Sequence, residues 1–191
     1  MTVKAPFISK SDIWRKVEEF RCRYPRCQRI PFDIDLLIEK DLGIEIVPET
    51  GPLQAAISID FKSILVDAKQ YWTPSYHCRV RYSLAHELGH YWLHREFLER
   101  NRPHNQDEWQ SFIDLLPDNQ YTFLEMHANE FAGVLLVPAS ELINRVSPLL
   151  QNGKRITYSD LARYFNVSSD VIEHRIKNDD VYPALREYLE P

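Results

Sequence analysis

The chain has 191 residues, of which 27% are charged and 12% aromatic, and its formal net charge at pH 7 is −5. This length suits one main domain with a hydrophobic core and a small additional region, and the abundant aromatic residues argue against long disordered tracts. Acidic and basic residues are interspersed without a basic tail, so charge alone gives no reason to expect a nucleic-acid partner.

Membrane and secretory signals are the next feature to consider. No run of about 18 apolar residues is present, and the N-terminal residues MTVKAPFISKSD lack the apolar segment of a secretory signal. Cys22, Cys27 and Cys78 form an odd set without C-x-x-C spacing, which is typical of free thiols in a reducing compartment. We therefore expect a cytoplasmic protein with no membrane attachment.

The first third of the chain predicts two helices and a small sheet. Ser11 is the predicted cap of a helix from about Asp12 to Arg21, and a second amphipathic helix follows Pro31 and ends at Gly43. Three short segments of alternating hydrophobicity then predict an antiparallel three-stranded sheet: GIEIVP (43–48), AAISID (55–60) and SILVDA (63–68).

Helical periodicity returns after Pro74 and predicts three helices, over residues 80–94, 122–137 and 140–150. The polar region 95–120 contains one short amphipathic piece around Trp109 and Leu116. Asn152-Gly153 marks the clearest boundary, and beyond it two short helices are predicted around an Asn166-Val167 turn, each started by a serine. The predicted organisation is a main domain over 1–150 and a helix-turn-helix-like region over 151–191.

The stretch SLAHELGHYWLH, residues 83–94, places His86 and His90 four positions apart with Glu87 directly after the first. Such residues project from nearly the same helix face, about 6 Å apart along the axis, so both imidazoles can reach one ion. A catalytic zinc ion needs a third protein ligand and leaves its fourth position to water. Glu87, about 100° around the helix from His86, can exchange protons with that water instead of binding the ion.

Two local features strengthen this interpretation beyond a bare H-E-x-x-H pattern, which also occurs by chance. Gly89 lies mid-helix, where it costs about 1 kcal/mol relative to alanine, so close approach of another backbone or a ligand is expected there. Leu84, Leu88 and Tyr91 form a separate apolar face, which lets the helix be buried while the histidines face a cleft.

The third ligand must come from another element. His94 continues the four-residue spacing, but it lies about 12 Å along the axis from His86, too far for bonds of about 2 Å to one ion. A longer zinc pattern would need histidine at position 96, where the sequence has Glu96.

The best candidate lies in EMHANEFAGVLLVP, within the predicted 122–137 helix. Glu125 and Asn129 share one face there, beside two alanines small enough to let this helix press against the histidine helix. We expect Glu125 to bind the metal and Asn129 to hydrogen-bond the free ring nitrogen of a liganding histidine. Glu130 and His127 are the competing ligands, although they project away from the two alanines.

These residues resemble the ImmA/IrrE family of cytoplasmic bacterial and phage metallopeptidases. The matching elements are RYSLAHELGHYWLH (81–94), the ExxANxFAxxLLxP element (125–138) and the three predicted strands before the histidine helix. The resemblance implies an α+β zincin-like metallopeptidase domain in which the small antiparallel sheet packs on helices. It also implies His86, His90 and Glu125 as metal ligands and Glu87 as general base and acid.

The resemblance extends to function. Members of that family act on regulators, typically a helix-turn-helix repressor, and cutting it switches on phage, mobile-element or stress-response genes. It therefore implies a metal-dependent endopeptidase, with zinc as the expected metal and manganese as the alternative. The long polar segment between the two motifs departs from the family pattern and is interpreted as a lid or a substrate-docking insert.

Two other classes of function stay open. One is a regulatory protein that holds a metal for stability and sequesters a repressor without cutting it. The other is a DNA-binding regulator that uses residues 154–180, but Asp170 and Glu173 accompany His174, Arg175 and Lys177 there, so direct nucleic-acid binding is not expected.

The donor that stabilises the oxyanion of peptide hydrolysis is not selected by the sequence. Five side chains are able to provide it: Tyr76, His77, His104, Tyr121 and His127.

Overall fold

The computed structural model describes residues 5–51, 54–101, 116, 118–153 and 155–189. The strands are β1 (Glu45–Glu49), β2 (Ala55–Ile57) and β3 (Ser63–Asp67). The described helices are α1 (Lys10–Arg23), α2 (Ile34–Leu36), α3 (Ala68–Tyr71), α4 (His77–Gly89), α5 (Arg95–Arg100), α6 (Asp118–Leu136), α7 (Ala139–Gln151), α8 (Tyr158–Phe165), α9 (Ser169–Ile176) and α10 (Tyr182–Leu189).

Helix α1 begins two residues earlier than predicted, because its cap is Ser9 and not Ser11. The Ser9 hydroxyl accepts the Asp12 N–H at 3.2 Å and donates to the Asp12 carboxylate at 2.7 Å. Asp12 lies three residues after Ser9, the spacing at which an acidic side chain answers an N-cap serine. The helix then buries one apolar stripe, which includes Val17 and Phe20.

The sheet is mixed, so the prediction of a purely antiparallel sheet is wrong at β1. Strand β3 lies in the centre, antiparallel to β2 and parallel to β1. The β1–β3 ladder runs from Glu45 opposite Ser63 to Glu49 opposite Asp67. Because β2 spans only Ala55–Ile57, pairing β1 with β3 gives the longer ladder and leaves β2 as an edge strand.

Helix α4 starts at His77, before the predicted Val80, and a π-helical turn over His90–His94 joins it to α5. No side-chain cap marks its start, and this absence explains why the sequence placed that start too late. The next two predicted helices are present: α6 begins four residues earlier and ends one residue earlier than predicted, and α7 is one residue longer at each end. The predicted piece around Trp109 and the lid or docking insert concern mainly residues 102–115, which lie outside the described residues.

Helices α8 and α9 form the predicted two-helix unit around Asn166, whose φ of 55° is left-handed. Thr157, not a serine, starts α8 through a capping box with Asp160, and Ser168 caps α9. A further helix that the sequence analysis did not predict, α10, follows. One cluster of buried side chains joins α1, the sheet, α4 and α6 to the C-terminal helices.

Arg175 of α9 belongs to this interior, with 1% of its side chain exposed. Its guanidinium pairs with Asp180 at 2.9 and 2.8 Å and donates to the Val137 carbonyl at 3.0 Å. Arg175 is one of the cations on which the alternative of DNA binding would depend, and its burial excludes that role. Within the described residues, no helix is long and apolar enough to span a membrane.

Candidate metal centre

The candidate site lies where α4 and α6 touch. A side chain at Gly89 would bring its Cβ to 2.8 Å from the Cα of Ala128 and 3.0 Å from the Ala128 carbonyl oxygen. Only glycine permits this approach, so the backbone contact that the mid-helix glycine predicted is the one between α4 and α6. The contact brings the histidines of α4 to the face of α6 that carries Glu125.

Three side chains converge at this contact. The Nε2 atoms of His86 and His90 are 3.1 Å apart, and the Glu125 carboxylate oxygens lie 3.2 Å from His86 Nε2 and 3.4 Å from His90 Nε2. Among the described residues, these three form the one group of potential ligands whose donor atoms all lie within 4.8 Å of one another.

The donor set fits a divalent ion. Two imidazole nitrogens and one carboxylate oxygen are ligands that zinc binds at about 2.0–2.2 Å, and in a tetrahedron of such bonds neighbouring donors are about 3.3–3.6 Å apart. The observed separations of 3.1–3.4 Å are close to this spacing. Manganese prefers carboxylate and other oxygen donors, so of the three side chains Glu125 is the one that suits it.

The electrostatics of the three groups are coupled. Burial raises the pKa of Glu125, but hydrogen bonds from His86 and His90 outweigh it and hold that pKa well below its usual range. Burial lowers the pKa of His86, while Glu125 and the charge of Glu87 more than compensate, so the net pKa is raised. A carboxylate that stays ionised beside two imidazoles provides the negative charge that a cation needs.

Asn129 lies one turn after Glu125 and faces His86. Its Oδ1 is 3.0 Å from His86 Nδ1, the ring nitrogen that points away from the other two donors. The Tyr82 hydroxyl, 3.3 Å from the same amide oxygen, donates to it and helps fix its orientation. The contact predicted for Asn129 is therefore present, with His86 as the partner.

Glu87 is 8% exposed and bonds to the sheet instead of facing bulk water. Its Oε2 accepts the backbone N–H of Ile57 at 2.8 Å. Two backbone hydrogen bonds flank this position, from Ser58 N–H to Ser63 O and from Asp67 N–H to Gln54 O. Residues 54, 56 and 58 therefore bond toward β3, and the Ile57 N–H points outward to α4. The edge strand thus fixes the position of the Glu87 carboxylate.

His94 and His127 extend the site inward. His94 is fully buried, and its Nδ1 lies 3.2 Å from His90 Nδ1 while its Nε2 lies 3.4 Å from His127 Nδ1. Burial and the neighbouring imidazoles lower the pKa of His94 to about 2, so the ring is neutral. His94 is not in the converging group of donor atoms, in agreement with its exclusion as a co-ligand.

The competing ligands Glu130 and His127 occupy other environments. Glu130 accepts hydrogen bonds from Trp14 Nε1 at 2.7 Å and Asn178 Nδ2 at 2.8 Å, and these contacts tie α6 to α1 and to the C-terminal region. His127 faces His94 and the backbone N–H of Ile8, 3.4 Å from its Nε2. Glu130 and His127 are therefore buried among these polar partners, and neither belongs to the converging group of donor atoms.

The candidate oxyanion donors differ in their positions in the structure. Tyr121 lies one turn before Glu125, and its pKa is raised by burial and by the charge of Glu125, with a smaller contribution from Glu87. His77 lies 3.0 Å from the Asn166 side chain, Tyr76 is 37% exposed, and His104 is outside the described residues. Of the five candidates, Tyr121 has the clearest electrostatic link to both Glu125 and Glu87.

Sequence reasoning missed three contributors: the Ile57 amide, the Tyr82 hydroxyl, and His94 as a partner of a ligand. A backbone amide carries no sequence signal. The i, i+4 spacing of His94 from His90 was a usable signal, because such residues share a helix face whether or not both bind the ion.

Comparison with known proteins shows that this architecture is similar to a solved structure. A Mycobacterium tuberculosis transcriptional regulator of known structure is similar, with a TM-score of 0.60 at 18% identity, over 90% of this chain and 47% of that chain. This likeness concerns the fold alone, and the chain spans less than half of the regulator's length. A comparison with curated proteins finds no match.

The fold is an α+β zincin-like domain. Its small sheet packs on helices, and the helix with the H-E-x-x-H motif touches a second helix, which carries Glu125. The sequence matches the IrrE N-terminal-like domain of the M78 peptidases over residues 77–177, more than half of the chain. The protein therefore belongs to this family.

Proposed function

We propose that the protein is a metal-dependent endopeptidase that cuts a protein regulator. The observation that carries the proposal is the convergence of His86, His90 and Glu125 within 4.8 Å, with Glu87 on the same helix. A purely structural metal site is closed by four protein ligands, whereas a catalytic one has three and keeps a position open. Within the part of the chain that the structure describes, three donors beside a carboxylate that is not among them match the catalytic arrangement.

The proposed mechanism divides the work among these side chains. His86, His90 and Glu125 would hold the ion, and when bound it would supply a Lewis acid that makes water easier to deprotonate. Glu87 accepts a proton as the water oxygen attacks the scissile carbonyl carbon, and it delivers a proton to the leaving amine as the C–N bond breaks. The Ile57 amide, 2.8 Å from Glu87, orients the carboxylate for both transfers.

Tyr121 is the proposed donor to the oxyanion that develops on the carbonyl oxygen. A tyrosine hydroxyl is protonated at neutral pH, and the raised pKa of Tyr121 acts in the same direction, so the hydroxyl can donate a hydrogen bond. Asn129 positions His86 by accepting its Nδ1–H.

The proposed substrate is a helix-turn-helix transcriptional repressor in the cytoplasm, whose cleavage switches on phage, mobile-element or stress-response genes. Membership of the IrrE-like family and a structural neighbour described as a transcriptional regulator both support a place in gene regulation. Direct binding to DNA is disfavoured because Arg175 is buried and paired with Asp180.

The decisive experiment compares the zinc-loaded protein with its Glu87→Gln variant on a peptide library derived from a bacterial proteome. Mass spectrometry of newly formed amino termini should show cleavage by the native protein and a loss of about 100- to 10,000-fold in Glu87→Gln, the usual contribution of general acid–base catalysis. Glu87→Gln should still bind zinc, whereas His86→Ala and His90→Ala should lose both metal and cleavage.

Glu19→Gln provides a matched control, because it neutralises an exposed carboxylate on α1 that pairs with Arg15. It should cut like the native protein. Equal cleavage by Glu87→Gln would refute the assigned role. Zinc binding with no new termini, in the library or in cells that express the native protein, would favour sequestration of a repressor without cutting.

A further inference from the structure

Four histidine rings form a continuous row from the metal centre into the interior. His86 Nε2 lies 3.1 Å from His90 Nε2, His90 Nδ1 lies 3.2 Å from His94 Nδ1, and His94 Nε2 lies 3.4 Å from His127 Nδ1. The two inner rings are almost inaccessible, with 0% of His94 and 5% of His127 exposed.

If His90 binds an ion, the ring next to it in the row has a chemical role. A neutral imidazole that ligates through Nε2 carries its proton on Nδ1, and this N–H requires an acceptor. For His86 the acceptor is Asn129 Oδ1 at 3.0 Å. For His90 the atom at hydrogen-bond distance is the Nδ1 of another imidazole, that of His94.

We infer that His94 is a positioning residue for the metal ligand His90. It accepts the Nδ1–H of His90, and it donates its own Nε2–H to His127 Nδ1. The inference rests on the proposed metal centre, and it assigns to the third histidine of H-E-x-x-H-x-x-x-H a role that does not involve contact with the ion.

In the metal-free protein, the far end of the row fixes the opposite order of protons. The Ile8 N–H donates to His127 Nε2 at 3.4 Å, which requires the His127 proton on Nδ1. From there, without an ion, every donor finds an acceptor in turn: His127 Nδ1–H to His94 Nε2, His94 Nδ1–H to His90 Nδ1, and His90 Nε2–H to Glu125 Oε1 at 3.4 Å.

An ion on His90 Nε2 reverses this order. The His90 proton must then lie on Nδ1, the His94 proton on Nε2 and the His127 proton on Nε2. The reversal leaves two donors, the Ile8 N–H and the His127 Nε2–H, facing each other. Metal binding is thus expected to change the proton positions of both inner histidines and to weaken the contact with Ile8.

The binding test measures zinc affinity by competition with a chromophoric chelator. His94→Phe removes the acceptor but keeps a ring, and it should lower zinc affinity about 10- to 100-fold, the usual effect of losing the partner of a metal ligand. His94→Asn places an amide oxygen near the position of Nδ1 and should recover most of that loss. The visible spectrum of the cobalt-substituted protein should change in His94→Phe and return toward native in His94→Asn.

Leu98→Ala is the control for damage to packing, since Leu98 is buried in a separate cluster one turn further along the chain. It should lower thermal stability without changing zinc affinity. Native affinity in His94→Phe, or no recovery in His94→Asn, would overturn the inference. If Leu98→Ala weakened zinc binding as much as His94→Phe, the effect would be one of packing and the inference would also fail.

A measurement on the native protein avoids dependence on the folding of any variant. Proton–nitrogen NMR correlations of the imidazole rings distinguish the two tautomers. Addition of zinc should move the His94 proton from Nδ1 to Nε2, and an unchanged tautomer would contradict the assignment. A native protein that binds no zinc would instead refute the proposed function itself, so the two failures are distinguishable.

Discussion

His86 links the proposed metal centre to pH, because protons and a bound metal would compete for the same nitrogen. The pKa of His86 is lowered by burial but raised overall by Glu125 and by the charge of Glu87. In the metal-free protein His86 therefore begins to gain its proton at a higher pH than an ordinary histidine does. Apparent zinc affinity should fall about tenfold per pH unit below that pKa for each proton displaced.

The Glu87→Gln variant tests the direction in which the pH dependence of zinc affinity shifts. Removing the Glu87 charge removes one cause that raises the pKa of His86, so the fall in affinity should begin at a lower pH than in the native protein. Zinc titrations from about pH 5.5 to 8.5 would detect the shift. Glu19→Gln, which changes the same charge on α1, should leave the profile unmoved, and an upward shift in Glu87→Gln would contradict the electrostatic account.

At the scale of residues, the sequence predicted the side chains that the structure brings together. The i, i+4 spacing placed His86 with His90, and the helix face of Glu125 and Asn129 was deduced from the two alanines beside them. The bonds of Glu87 to Ile57 and of His90 to His94 were missed. The first depends on the path of the backbone, and the second depends on a buried ring whose proton location sequence does not encode.

At the scale of elements, the approach of α4 to α6 is the contact on which the site depends. Gly89→Ala would place a Cβ 2.8 Å from the Ala128 Cα, closer than real contacts allow, so the two helices must separate. We expect a loss of about 1–3 kcal/mol in the free energy of unfolding, as for other overpacked positions. Zinc affinity should fall as well, since the two helices carry different ligands.

Gly133→Ala is the matched control on α6. Its Cβ would meet only the Arg175 Cδ, at 3.3 Å, and alanine favours a helix interior by about 1 kcal/mol. Its stability should stay close to native and its zinc affinity should not change, as measured by chemical denaturation and chelator competition. Equal effects of the two substitutions would show that helix separation is not the cause.

The sheet shows where prediction of elements by sequence ends. Alternating hydrophobicity located all three strands, but it does not say which strand pairs with which. Every strand was expected to pair antiparallel, whereas β1 forms a parallel ladder with β3. The three-residue length of β2 became known only from the structure.

At the scale of the whole molecule, the buried cluster runs across the boundary predicted at Asn152-Gly153. Leu161, Phe165 and Ile172 belong to the same cluster as Leu84 and Leu88 of the histidine helix. The division into regions 1–150 and 151–191 stays a prediction, but a shared core favours joint unfolding of the two.

Differential scanning calorimetry of the metal-free protein should therefore show one transition. Leu161→Ala should lower its midpoint and remove about 2–5 kcal/mol from the free energy of unfolding, as expected for a buried leucine. Exposed Arg163, on the same helix, offers a control whose change to alanine should leave the midpoint nearly unmoved. Two transitions, of which only one responds to Leu161→Ala, would establish independent domains.

The hydrogen bond from the Ile57 amide to Glu87 has a consequence for how the sequences of proteins with this architecture vary. Nineteen of the twenty common amino acids carry the same N–H, and proline alone lacks it. The contact with Glu87, the proposed base, therefore depends on the backbone of residue 57 and not on the identity of its side chain. At this position the backbone path of the strand is what matters, and two chains can share that path while their amino acids differ.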